Sequence, residues 1–268
     1  MEVFFEETAP YWEEVYGRDD VWGAIYRRRR LTALSWIDGL ELPPGARALE
    51  IGCGTGLTAL ALAERGFQVE ATDAAGAMLE RTRARAAEAG LGGRLRVRRA
   101  RAEALDFEDA AFDLVVALGV LPWVDSPKQV VREMARVLRP GGYALLSADN
   151  RRRLTHLLDP ACNPALSPVV KPVGRLLVRL GLRRDPGASA RAEMHARATV
   201  DGWLAAAGLL QLEALTLGFG PFTLLGLPLL PRSASVRLDE WLDGLARRGF
   251  PGLEAAGAQH LVLAAKGA

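Results

Sequence analysis

Apolar and polar positions recur with two different periods along this chain, and the switch between them predicts its elements. From Ala46 onward, short apolar runs of strand length are followed by stretches with apolar residues three and four apart, the pattern of strands feeding helices. Strands are expected at 46–51, 68–72, 95–99, 112–118, 143–148, 211–217 and 260–265, and helices at 58–65, 78–89, 129–138 and 200–207. The apolar run beginning at Phe112 suits a buried central strand. Pro140-Gly141-Gly142 reads as a stop-and-turn signal between a helix and the strand after it. This alternation predicts an α/β chain with a largely parallel sheet and helices on both faces.

Two regions stand outside the alternation. Residues 1–45 carry Phe4, Phe5, Tyr11, Trp12, Tyr16, Trp22, Tyr26 and Trp36, and predict two helices joined near 17–20. Residues 151–198 form an insertion interrupted by Pro160, Pro164, Pro168 and Pro172. The expected organisation is therefore an N-terminal helical segment (1–45), a core (46–150), the insertion (151–198), and a return to the core sheet with an apolar loop (199–268). Residues 214–231 hold no charged side chain. That length approaches the roughly 20 residues of a membrane span, but its glycines and prolines would break such a helix. A strand followed by an apolar loop over a pocket is expected instead.

Composition narrows the function. With 34 basic and 32 acidic residues among 268, the net charge is +2 and half the chain is hydrophobic. Disorder is excluded, and no global positive field exists to recruit nucleic acid, so the short Arg clusters at 27–30, 151–153 and 183–184 read as solvated faces. Cys53 and Cys162 lie far apart without metal-ligand spacing, so neither a metal site nor a disulfide is expected. The acidic N-terminus shows no signal-peptide pattern, which makes the cytoplasm the expected compartment.

The chemistry concentrates in Glu50-Ile51-Gly52-Cys53-Gly54-Thr55-Gly56, at the end of the first predicted strand. Alternate glycines let the backbone turn sharply and approach a ligand with no Cβ in the way. A dinucleotide fingerprint needs its third glycine where this chain has Leu57, so the loop fits G-x-G-x-G better than G-x-G-x-x-G. Asp73 ends the second strand, about 20 residues beyond the first glycine, where a carboxylate can accept both hydroxyls of a ribose. Capping the helix around Met78 is its other reading, and the two are compatible.

These segments, ALEIGCGTG, ATDAAGAML, RAEALDF, FDLVVALGVL and LRPGGYALLS in that order, resemble the class I S-adenosylmethionine-dependent methyltransferases, small-molecule type, similar to the ubiquinone/menaquinone-biosynthesis enzymes. The resemblance covers about 46–148 and implies a Rossmann-like seven-stranded sheet, mostly parallel with an antiparallel last strand. S-adenosyl-L-methionine is the implied cofactor. Gly52 and Gly54 would then lie under its methionine and ribose, and Glu50 would orient the loop or reach the amino group. Asp73 would hold the ribose, with Ala74 and Met78 near the adenine. The Ala102 N–H would meet the adenine, the Leu118 backbone the methionine part, and Cys53 and Glu103 would complete the walls. Tyr26 and Arg30, with Tyr11, would close on the cofactor carboxylate if the N-terminal helices form a lid; otherwise their aromatics pack against the sheet. Arg101 stands where relatives often carry Asp, and Pro122-Trp123 stands where many carry a pair of histidines. A candidate base is thus missing from that wall, and Trp123 offers an aromatic face or simple packing.

Methyl transfer needs alignment and water exclusion, and an oxygen nucleophile also needs a base. His156 and His195, in the insertion, are the catalytic candidates; His260 reads as structural. The expected acceptor is a small apolar molecule roofed by the insertion (Leu176, Leu177, Val178) and by the apolar loop (Phe219, Phe222, Leu224, Leu225, Leu227, Leu229, Leu230). Contact of Arg179, Arg183 and Arg184 with a membrane surface is a variant of this reading. An NAD-dependent oxidoreductase and a non-catalytic S-adenosylmethionine-binding protein are the competing classes.

Overall fold

The computed structural model describes residues 2–163, 166, 170, 172, 176, 178–181 and 192–267. Pro164, Pro168, Leu177, Arg183 and Arg184 lie outside the described residues.

The chain opens with α1 (Glu2–Glu14), a 3₁₀ turn (Val15–Gly17) and α2 (Val21–Asp38). Asp20 caps α2 by accepting the Gly23 N–H at 2.9 Å. The core then runs β1 (Arg47–Ile51), α3 (Leu57–Glu64), β2 (Gln68–Asp73), α4 (Gly76–Glu88), β3 (Leu95–Arg99), β4 (Phe112–Ala117), α5 (Pro127–Val137) and β5 (Leu138–Asp149). After a short α6 (Leu154–Leu158) come α7 (Arg197–Ala206), β6 (Leu209–Leu217), a two-stranded hairpin of β7 (Thr223–Leu224) and β8 (Leu227–Pro228), α8 (Arg232–Arg247) and β9 (Gln259–Lys266).

The main sheet has seven strands in the order β3-β2-β1-β4-β5-β9-β6. β1 to β5 pair in parallel, and β9 inserts antiparallel between β5 and β6. Successive side chains on each strand face opposite layers. Ala48, Leu114, Val116 and Leu145 therefore pack with α2 and α3 on one face, while Leu49, Ile51, Val115 and Leu146 pack with α5 and α7 on the other.

Three features differ from the pattern. Pro140-Gly141-Gly142 does not stop the chain, because β5 starts at Leu138 directly after α5. Phe112 pairs with Leu138 and Leu114 with Tyr143, so residues 139–142 bulge opposite Asp113. Gly141 takes φ +73 there, and a Cβ on Gly142 would stand 2.9 Å from the Asp113 carbonyl. Secondly, α8 escapes the apolar periodicity because Ser235, Asp239 and Asp243 lie on its buried side. Phe219 and Asp239 give the third. Phe219 and Phe222 stand away from the crevice at Gly52–Gly56; they form a separate cluster with Ala246, Leu238 and Leu242, and Phe222 borders a second cavity of about 220 Å³ with Leu229 and Leu230. Asp239 holds that corner by accepting the N–H groups of Phe219 and Gly220 and a bond from Arg28.

Candidate active site

Strand order reverses between β1 and β4, and at such a switch point the loops leave in opposite directions and open a crevice beyond the carboxyl ends of the strands. A cavity of about 370 Å³ occupies this crevice. Its floor is the loop from Gly52 to Gly56, and its walls are the ends of β2, β4 and β5, the start of β9, and α1 and α2.

Each glycine of the loop has positive φ, but the physical reasons differ. A Cβ on Gly52 would stand 2.6 Å from Val120 Cγ2, and one on Gly56 would stand 2.7 Å from Thr82 Cγ2. A Cβ on Gly54 would meet nothing within 4 Å. The protein itself requires the first and third glycines, whereas the middle one leaves its space open beside the cavity. Asp73 ties this loop down. Its carboxylate accepts the N–H of Gly54 at 2.9 Å and that of Ala75 at 3.0 Å. It does not cap α4, as one reading of the sequence expects. Glu6 of α1 does so, by accepting the N–H groups of Gly76 and Ala77.

The two N-terminal helices close the other side. Phe5 and Trp12 lie 5.9 Å apart between ring centroids, Trp12 and Tyr26 5.8 Å, and Phe5 and Trp123 5.5 Å. These four rings line the cavity instead of packing on the sheet. Glu13 pairs with Arg81 and Arg85 of α4 at 3.1 Å, which fastens the far end of α1.

Burial sets the electrostatics. Glu50 is 3% exposed, and desolvation pushes its carboxyl up to about 8 against the pull of the Ala59 N–H and Arg30. One of its oxygens, Oε2, is buried with no partner among the described residues. Burial also raises Asp73, opposed by the N–H groups of Ala75 and Gly54. The Cys53 thiol is pushed up by burial and then by Glu50 and Asp73, so it is no nucleophile. The Tyr26 hydroxyl is held above its ordinary range by burial.

Of the residues expected to contact a cofactor, Glu50, Gly52, Cys53, Gly54, Asp73, Ala74, Met78, Ala102, Glu103, Leu118 and Tyr26 all line this cavity. Arg30 does not. It turns away to donate to the Leu57 carbonyl at 2.6 Å, and Arg29 takes the cavity position. The basic run is not a solvated face either: Arg27 binds the Tyr16 and Arg18 carbonyls, Arg28 binds Asp239, and Arg29 is 4% exposed. Tyr11 stays outside the wall, half-exposed and beside Arg18.

The histidines do not meet the cavity. His156 Nδ1 lies 2.9 Å from the Arg151 carbonyl and Nε2 accepts from Arg153, while the His195 ring packs on Trp203 at 4.9 Å. Burial lowers both below the ordinary histidine range. His260 is buried in β9 near Asp201, as a structural residue. Pattern reading missed Arg29, Trp12, Asp149 and Gln259 in the wall. Trp22, Tyr26 and Arg29 share one helical face by spacing, which was the available signal for Arg29.

Residues 49–146 match the methyltransferase domain family. The chain is 39% identical over 126 residues to a ubiquinone biosynthesis O-methyltransferase of Paracidovorax citrulli, covering 47% of this chain and 52% of that protein. The core of the chain, residues 49–146, is therefore a methyltransferase domain by its match to that family. A phosphatidylethanolamine N-methyltransferase of Cereibacter sphaeroides is 42% identical over 102 residues, 38% of this chain and 50% of that one. The chain spans about half the length of the curated relatives it matches. The fold likeness extends further: a magnesium protoporphyrin IX methyltransferase of Synechocystis PCC 6803, solved with bound SAH, superposes at TM-score 0.62 and 18% identity over 99% of this chain and 97% of that one.

S-adenosylmethionine carries a sulfonium cation, an amino acid end, a ribose and an adenine. The cavity fits that set. It offers carboxylates, aromatic faces for a sulfonium, an open space at Gly54 and an unpartnered oxygen on Glu50.

Proposed function

We propose that this protein transfers the methyl group of S-adenosylmethionine to a small acceptor with an apolar body. The observation that carries the reading is the Gly54 loop held by Asp73 at the floor of one cavity, under an aromatic wall. The cofactor supplies an activated methyl group on sulfur. The chain's own residues bind and align: Asp73 has lone pairs left for ribose hydroxyls, and Glu50 Oε2 is free for the amino group. Arg29, in the place expected for Arg30, is the cation for the carboxylate. α1 and α2 exclude water as a lid, and Phe5, Trp12 and Trp123 offer area to an apolar acceptor with little polar discrimination.

The acceptor roof expected from 214–231 is not part of this reading, since no residue of that segment lines the cavity among the described residues. Among those residues no helix is long and apolar enough to cross a membrane. Calorimetric titration with S-adenosylmethionine, S-adenosylhomocysteine and NAD tests the proposal. Binding of the first two alone, with a rise in melting temperature, is the expected result. Ligand at a hundredfold excess over Kd adds about 2.7 kcal/mol. Binding of NAD alone would move the protein to the oxidoreductases, and cofactor binding with no transfer to any apolar acceptor would make it a binding protein.

A further inference from the structure

Asp159, Asp239 and Glu133, buried away from the cavity, are each supplied with several donors, whereas two carboxylates that line the cavity are exceptions. Asp159 accepts from Ala161 N, Gly226 N and Thr223 Oγ1, and Asp239 accepts from two backbone N–H groups and Arg28. Glu133 takes the Leu105 N–H and a two-point bond from Arg136. Glu50 is the first exception and has its place in the cofactor reading above. Asp149 is the second. Among the described residues, its carboxylate receives only one long bond, 3.4 Å, from Gln259 Nε2. A carboxylate can accept about four bonds, so Asp149, half-buried in the cavity wall, keeps lone pairs open to a donor that enters the cavity.

The main chain at this place is fully committed. Asp149 pairs in register with Gln259 of β9, and its carbonyl accepts the His195 N–H at 2.9 Å. The side chain is therefore held in the cavity wall by a rigid strand end, as a positioned group must be. β5 lies two strands from β1, on the side away from β2 and Asp73. At about 4.8 Å per strand this puts Asp149 about 10 Å across the crevice from the glycine loop. That is the side of the crevice away from Asp73, next to Arg29, where an acceptor can enter beside the amino acid end of the cofactor.

Charge selects the donor. Arg29 and Tyr26 face Asp149 from α2, Arg153 from beyond β5, and His195 from the segment before α7. Two guanidinium groups repel an ammonium ion at this point. They tolerate a neutral hydroxyl and stabilise the oxygen as it gives up its proton.

We infer that Asp149, positioned by Gln259, is the general base for a hydroxyl-bearing acceptor. The acceptor oxygen forms a bond to the methyl carbon, the carbon–sulfur bond breaks with its electron pair left on sulfur, and the hydroxyl proton passes to Asp149. Burial raises this carboxyl above its ordinary value, the direction that strengthens it as a base. The inference rests on the methyltransferase reading and adds the group that accepts the proton.

The test uses protein saturated with S-adenosylhomocysteine, and compares 4-butylphenol with butylbenzene by calorimetry. Wild type is expected to bind the phenol at least tenfold more tightly, and Asp149→Ala is expected to lose that preference while keeping its S-adenosylhomocysteine affinity and its melting temperature shift. Asp149→Asn still accepts a hydrogen bond but takes no proton. It is expected to keep much of the preference, yet to methylate 4-butylphenol at least a hundredfold more slowly, with a smaller loss for the more acidic 4-nitrophenol. Absence of a phenol preference in wild type, its survival in Asp149→Ala, no methylation of 4-butylphenol by wild type, or an equal loss for both phenols each overturns the inference. Failure of wild type to bind S-adenosylhomocysteine at all overturns the methyltransferase reading instead.

Discussion

Glu6 and Ala77, 71 positions apart, meet where the first helix crosses the crevice: Glu6 Oε2 accepts the Ala77 N–H at 2.9 Å. Its other oxygen accepts from Gly76, so one carboxylate satisfies two orphan donors at the start of α4 and sits at the positive end of that helix. The contact couples the aromatic wall to the cofactor side of the core. Glu6→Ala is expected to cost about 1–2 kcal/mol, the worth of a good cap. It is also expected to speed proteolytic cleavage within α1 and weaken S-adenosylhomocysteine binding. Urea unfolding and timed proteolysis check this; unchanged cleavage would mean that the aromatic cluster alone holds α1.

The glycine loop separates folding from binding. Gly52→Ala places a methyl group 2.6 Å from Val120 Cγ2 at φ +65, and overpacking plus left-handed strain sum to about 2–5 kcal/mol. Gly54→Ala meets open space at φ +53 and costs only about 1–2 kcal/mol of strain. The expected outcome is a folded Gly54→Ala protein with more than tenfold weaker cofactor binding and a much less stable Gly52→Ala. Equal cofactor affinity in wild type and Gly54→Ala would remove the loop from the binding site.

Asp73 has two duties in this structure, bracing the loop and offering lone pairs to a ribose. Asp73→Ala is therefore expected to lose about 1–3 kcal/mol of stability from two unmet N–H groups as well as more than tenfold in cofactor affinity. Denaturant titration and calorimetry on the same variant separate the two. A stability loss with unchanged affinity would leave Asp73 with the bracing role alone.

Glu50 gives a pH signature. The unfolded chain loses this proton near the ordinary 4.5, whereas the fold keeps it to about 8. Between those values the folded state binds more protons, so the Glu50 contribution lowers stability as pH rises from 4.5 and levels off above 8. Glu50→Gln is expected to flatten that decline in stability measured from pH 5 to 9. A cofactor amino group paired with Glu50 would also expel its proton at pH 7. The calorimetric binding enthalpy of wild type is then expected to vary with buffer ionisation enthalpy, and that of Glu50→Gln to vary less. No buffer dependence would restrict Glu50 to orienting the loop.

The sequence by itself determined what local chemistry can specify. Period-two and period-3.6 runs place the seven strands of the main sheet and the core helices, and the spacing of Gly52, Gly54, Gly56 and Asp73 places the floor of the cavity. These features depend on neighbours a few residues away, or on steric demands that only glycine meets, so they are written in one dimension. Tertiary structure decided the rest. Whether Arg29 or Arg30 faces the cavity depends on how α2 rotates as Ile25 and Leu34 bury against the sheet, a turn of about 100° per residue that no periodicity of charge records. The bulge at 139–142 exists because β5 must register with β4, and the polar buried side of α8 exists because Asp239 meets Arg28, 211 positions away. Asp149 and Gln259 become neighbours only when β9 slides antiparallel between β5 and β6. Burial, which raises the carboxyls of Glu50 and Asp149, is a property of the whole packed molecule.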